Sequence, residues 1–81
     1  MSTDFCSLPH LTQRFLDRYG SEFRARAPQV SRAELALFFK LFVEEVLSNR
    51  PGHFYGVFED ACGAGFTLLL SEITRCRGVL R

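Results

Sequence analysis

Apolar positions along the chain fall into three blocks, each with helical spacing. In the first, Leu8, Leu11, Phe15 and Tyr19 recur at intervals of three and four, the period that gathers side chains on one face of a helix. Ser7 is placed to cap this helix, and Pro9 is tolerated in its first turn. Arg14, Asp17 and Arg18 lie mostly off the stripe. Gly20 offers an end, although Phe23 would extend the same stripe if the helix ran on. Residues 24–29 read as a connector, because Pro28 disfavours a helical residue before it.

The second block, from Val30 to Leu47, opens with a complete start signal. Ser31 is a good N-cap and Glu34 follows three residues later, so each can bond the other's backbone amide in a capping box. Val30 and Leu35 stand where a hydrophobic staple stands. At about 100° per residue, Leu35, Phe38, Phe39, Phe42 and Val46 form one broad face, which Val43 and Leu47 widen. Lys40 and Glu44 lie roughly opposite. Leu37 and Leu41 are different: they sit on the far flank, one turn apart, bracketed by Glu34, Glu44, Glu45 and Ser48. The spacing predicts a helix over 31–48, stopped by Asn49-Arg50-Pro51-Gly52.

The third block is divided by Gly63-Ala64-Gly65. Before it, Phe54, Phe58, Ala61 and Cys62 keep helical spacing; after it, Phe66, Leu69, Leu70, Ile73 and Cys76 do the same. Arg75 and Arg77 suit the negative pole of a closing helix. Phe, Tyr and Val also favour strands, so a hairpin within 53–72 is the rival reading. The expected fold is mainly α: a bundle of three to four short helices around a Phe-rich core, with α+β as the alternative. Residues 1–7 read as a short arm, 8–77 as one domain and 78–81 as a tail.

Composition agrees with a globular domain. The 81 residues are 47% hydrophobic and 23% charged, with nine Phe, two Tyr and no Trp. A chain this short leaves much of its surface uncovered and commonly needs help from disulfides, metals or association. The net charge of +1 gives no general pull toward nucleic acid or an anionic surface. It is unevenly spread: +2 over residues 1–32, −4 over 33–72 and +3 over 73–81. An acidic middle between basic ends suits complementarity within the chain or between copies. Cys6, Cys62 and Cys76 are odd in number and form no C-x-x-C. They read as free thiols in the cytoplasm or another reducing intracellular compartment. No secretion signal and no apolar run of membrane-spanning length is present, since Lys40 and Glu44 interrupt the longest.

Chemical motifs are weak. Gly63-Ala64-Gly65 lacks the third Gly of a dinucleotide loop and the Lys of a P-loop. His10, His53 and the cysteines have no tight pair such as zinc sites use, so neither a metal nor another cofactor is expected. His53 and Cys62, with Glu59 and Asp60 between them, are the nearest approach to a nucleophile pair, but an enzyme needs an oxyanion site and a cleft as well. The adjacent acids Glu44-Glu45 and Glu59-Asp60 cannot face each other on a helix.

These readings lead to a non-enzymatic interaction module that binds and regulates a partner protein as a homodimer. Leu37 and Leu41 would meet the partner, with Glu34, Glu44 and Glu45 as a polar rim. A dimeric nucleic-acid-associated regulator is the alternative, using the basic cluster Arg14, Arg18, Arg24, Arg26 and Arg32.

Overall fold

The computed structural model describes residues 6–80; the first five residues of the expected arm, and Arg81, lie outside the described residues. It consists of α1 (Leu8–Arg26), α2 (Arg32–Leu47), α3 (His53–Cys62), a 3-10 turn (Gly63–Gly65), α4 (Phe66–Arg75) and the single turn α5 (Arg77–Leu80). No strand occurs among the described residues, so the expected helical bundle is the fold and the hairpin alternative within 53–72 is not. The expected tail enters the fold through α5, whose Leu80 packs on the core.

Local signals place most helix ends. Ser7 accepts from the His10 amide at 3.4 Å. The capping box of α2 is complete: Ser31 Oγ accepts from the Glu34 amide at 3.1 Å, and Glu34 Oε1 accepts from the Ser31 amide at 2.9 Å. At the far end of α2, Asn49 adopts φ +60°. Its amide donates to the Val46 carbonyl and that of Arg50 to the Glu45 carbonyl, both at 3.1 Å. These two bonds with a left-handed residue form a Schellman stop, and Pro51 follows it.

Helix α1 runs six residues past Gly20, to Arg26. A glycine within a helix costs about 1 kcal/mol relative to alanine, whereas burying a Phe returns roughly 1.5–3 kcal/mol. Phe23 is 5% exposed, with its ring 5.2 Å from that of Phe58. Burial therefore wins, and the connector shrinks to the residues between Arg26 and Arg32.

The core is an aromatic cluster. Phe15, Phe39, Phe42 and Phe58 are fully buried. Phe42 stacks on Phe58 at 4.6 Å, and Phe15 on Phe39 at 4.7 Å. Leu11, Leu35, Leu69 and Ile73 are among the other residues of the interior, which contains no buried polar side chain among the described residues. Three residues expected on the core face of α2, Phe38, Val46 and Leu47, are only partly buried.

Gly65 fits where a larger residue would not. A Cβ there would stand 2.7 Å from the Tyr19 ring, whose hydroxyl donates to the Gly65 carbonyl. The expectation of three free thiols is corrected: Cys6 and Cys76 form a disulfide, leaving Cys62 as the free thiol. The bundle brings the start of α1 to the end of α4, across a sequence separation of 70 residues, and nothing local in the sequence signals that meeting.

Two substitutions test this packing. Gly65→Ala is expected to cost about 1–3 kcal/mol in urea unfolding through overpacking, and to cost less in a Tyr19→Leu background. Cys6→Ser is expected to lower stability by roughly 2–4 kcal/mol, since the bond closes a long loop. Reductant should bring the unmodified chain down to the level of the variant and leave the variant unchanged.

Candidate functional site

The outer face of α2 carries apolar surface that the core does not use. Leu37 is 53% exposed. Leu41, one turn on, is half-buried and is not among the residues packed against the core. Phe38 lies beside them on the helix, with its ring 5.6 Å from that of Phe54 on α3. Both rings are partly exposed. The leucine flank therefore grades into an aromatic edge between α2 and α3, where Phe38 and Phe54 pack against the core as their helical periodicity predicts and leave part of each ring open.

The acids expected to rim this surface have unequal freedom. Glu44 is exposed on the outer face. Glu34 is held by the capping box. Glu45 reaches across to the start of α3, whose N-cap is Gly52 and has no side chain to offer. Its carboxylate accepts from the amides of Gly52 at 2.9 Å, Phe54 at 3.2 Å and Tyr55 at 2.8 Å. Burial acts to raise the Glu45 pKa, but the three amide donations, with His53 nearby, outweigh it and hold the carboxyl below its ordinary value of 4.5.

All five arginines of the expected basic cluster have partners within the chain. Arg14 and Arg18 approach Glu72 at 3.7 and 3.1 Å. Arg32 pairs with Asp17 at 3.3 Å. Arg24 donates to the Val30 carbonyl. Arg26 donates to the Asp60 and Ala61 carbonyls, both at 2.9 Å, and so closes the C-terminal end of α3. Arg77, outside that cluster, does the same for α2 through the carbonyls of Leu47 and Val46. Between α1 and α4, Arg14, Asp17, Arg18, Glu72 and Arg75 line an open depression of about 450 Å³.

The elements of nucleophilic or metal chemistry do not converge. His53 begins α3 and Cys62 ends it, which separates them by about 13 Å along the helix axis. Burial raises the Cys62 thiol to about 11; Glu22 adds to the rise and Arg26 opposes it. A thiol so shifted is almost entirely protonated at neutral pH and a poor nucleophile. Among the described residues no group of three or more His, Cys, Asp or Glu is arranged to hold a metal. No helix is long and apolar enough to cross a membrane.

Comparison with known proteins matches no family model, no curated protein and no solved structure.

The link from Glu45 to α3 predicts a pH dependence. Because its carboxyl is depressed in the folded state, the stability it contributes is present above pH 4.5 and lost as pH falls through the folded value. Thermal melts from pH 7 to pH 3 should show Glu45→Gln less stable at neutral pH, by more than the about 0.5 kcal/mol usual for surface changes. The gap between variant and unmodified chain should narrow below pH 4.5. A constant gap would show that the charge of Glu45 is not what holds α3.

Proposed function

We propose that this chain is a small, non-enzymatic protein–protein interaction module that associates as a homodimer through the outer face of α2 and, in that form, binds and regulates a partner protein. The observation that carries the reading is Leu37, 53% exposed in mid-helix, with Leu41 beside it unpacked on the core. Covering what these two leucines leave open contributes roughly 1–3 kcal/mol before the costs of association. The neighbouring Phe38 and Phe54 rings add apolar area of the kind enriched at interface centres. Glu44 supplies charge at the edge, as interface rims do.

The nucleic-acid alternative gains little support. A phosphate-binding stripe needs guanidinium groups that are free to neutralise phosphate. Those of Arg24 and Arg26 instead hold backbone carbonyls, and Arg14, Arg18 and Arg32 face carboxylates. The compartment follows from the state of the Cys6–Cys76 pair. As a lasting bond it belongs to an oxidising environment; as two thiols it belongs to the cytoplasm or another reducing compartment. Thiol titration of the native protein decides between them.

Replacing Leu37 and Leu41 together by Glu is expected to abolish self-association, read as mass by light scattering over a hundredfold range of concentration, with helicity unchanged by circular dichroism. Loss of the fold in step with association would return both residues to the core and remove the reading.

A further inference from the structure

The four helices are not joined equally. Of the pairs formed by α1 to α4, α1 and α4 are the least closely packed, and an open depression lies between them. Three fastenings cross this seam. The Tyr19 hydroxyl donates to the Gly65 carbonyl at 3.4 Å. Arg14 and Arg18 reach Glu72 at 3.7 and 3.1 Å, with all three side chains partly solvated. Cys6 and Cys76 close the far end covalently. Solvated ion pairs and one long hydrogen bond hold little, so the disulfide is the strong fastening.

The core divides along the same line. The stacked pairs Phe15–Phe39 and Phe42–Phe58, and Phe23 against Phe58, all belong to α1, α2 and α3. Helix α4 adds Phe66, Leu69 and Ile73, and ends at the buried Cys76. The turn α5 hangs from that residue: the Val79 and Leu80 amides both donate to the Cys76 carbonyl at 3.0 Å. Ahead of α4, Gly63-Ala64-Gly65 links it to α3, and glycines leave the backbone its greatest freedom to turn.

We propose that Cys6 is a site of thiol–disulfide exchange with an external dithiol, and that the Cys6–Cys76 bond is a redox latch whose opening lets α4 and α5 undock while α1, α2 and α3 stay assembled. The latch goes beyond the interaction proposed above and is independent of the leucine flank. Cys6 is half-buried and Cys76 is 3% exposed, so Cys6 is the sulfur that an attacking thiolate reaches. Attack there forms a mixed disulfide on Cys6 and breaks its bond to Cys76, which leaves with the electron pair and takes a proton. The second thiolate of the dithiol then displaces Cys6, which is protonated in turn, and the reductant closes its own disulfide. Two electrons and two protons pass to the chain. The dithiol has to come from outside. Cys62 is the one other cysteine, and it lies beside Glu22 and Arg26, at the opposite end of α1 from Cys6. Once the bond is open, nothing covalent opposes separation along the seam, and the segment with the fewest ring contacts opens first.

Hydrogen exchange read by mass spectrometry tests the latch on the full chain, oxidised and reduced with dithiothreitol. Reduction is expected to speed exchange across residues 66–80 relative to residues 39–47 of α2 by about tenfold or more, and reoxidation to reverse it. Equal acceleration in every helix, unchanged exchange, or complete unfolding of the reduced chain each overturn the proposal. Cys6→Ser should show the reduced pattern without dithiothreitol and no response to it; a response overturns the assignment to this pair. Brief treatment of the oxidised chain with glutathione, quenched in acid, should place the mixed disulfide on Cys6. A mixed disulfide on Cys76 instead overturns Cys6 as the site of attack.

Discussion

The ring of Phe58 is where the helices are joined. It is fully buried, stacked on Phe42 of α2 and within 5.2–5.3 Å of Phe23 and Phe15 of α1. Phe58 is also the one buried residue of α3. A ten-residue helix is marginal in water by itself, so α3 is kept by Phe58, by the partly buried Phe54, Tyr55, Val57, Ala61 and Cys62 packed against the core, and by bonds at its two ends. Removing a buried Phe typically costs about 3–5 kcal/mol, a large share of what a domain this small commands. The aromatic cluster also fixes the orientation of α2. Turning Phe39 and Phe42 inward leaves Leu37 and Leu41 outward, because residues two positions away on a helix point to the opposite side.

The charged side chains complete what the rings begin. Glu45 gathers the amides at the start of α3, Arg26 the carbonyls at its end, and Arg77 the carbonyls at the end of α2. Each is a cap supplied from another element, and each satisfies backbone groups that the helix itself cannot. This use of charge has a consequence for function. Groups that look like chemistry along the chain, the arginine cluster and Glu45, are largely occupied in construction. What remains unoccupied is apolar, Leu37 and Leu68 above all, together with isolated charges such as Glu44 and Arg75.

Legibility in the sequence follows the range of the interaction. The capping box of α2 and its stop at Asn49 are encoded within a few residues, and both are plain in the chain itself. The leucine flank is legible for the same reason, being a one-turn repeat. The continuation of α1 through Gly20 is not settled locally, since its cause is the contact of Phe23 with Phe58, 35 positions away. The choice of helices over a hairpin in 53–72 likewise turns on Glu45 and Arg26, which lie outside that segment. The pairing of Cys6 with Cys76 and the exposure of Phe38 depend on the assembled bundle, and no pattern along the chain encodes them. Leu68 had a signal: it stands among Thr67, Ser71, Glu72 and Arg75, the polar side of its helix, just as Leu37 stands among acids.

An exposed leucine alone means little, because more than half of any folded surface is apolar. Val79 is 49% exposed as well, on the single turn α5. Leu37 differs from it in standing one turn from a second leucine, Leu41, on a helix of 16 residues. Their apolar content limits what such a contact achieves. Leu37 is about half exposed and Leu41 less so, and covering what the two leave open contributes roughly 1–3 kcal/mol, against about 4–15 kcal/mol for immobilising two bodies. The leucines alone therefore do not sustain a permanent complex. The proposed association would have to draw on the Phe38–Phe54 edge as well, and would be weak and reversible. A contact of that strength would suit the proposed regulation, because a second protein docking on the leucine flank would compete with self-association without having to unfold anything.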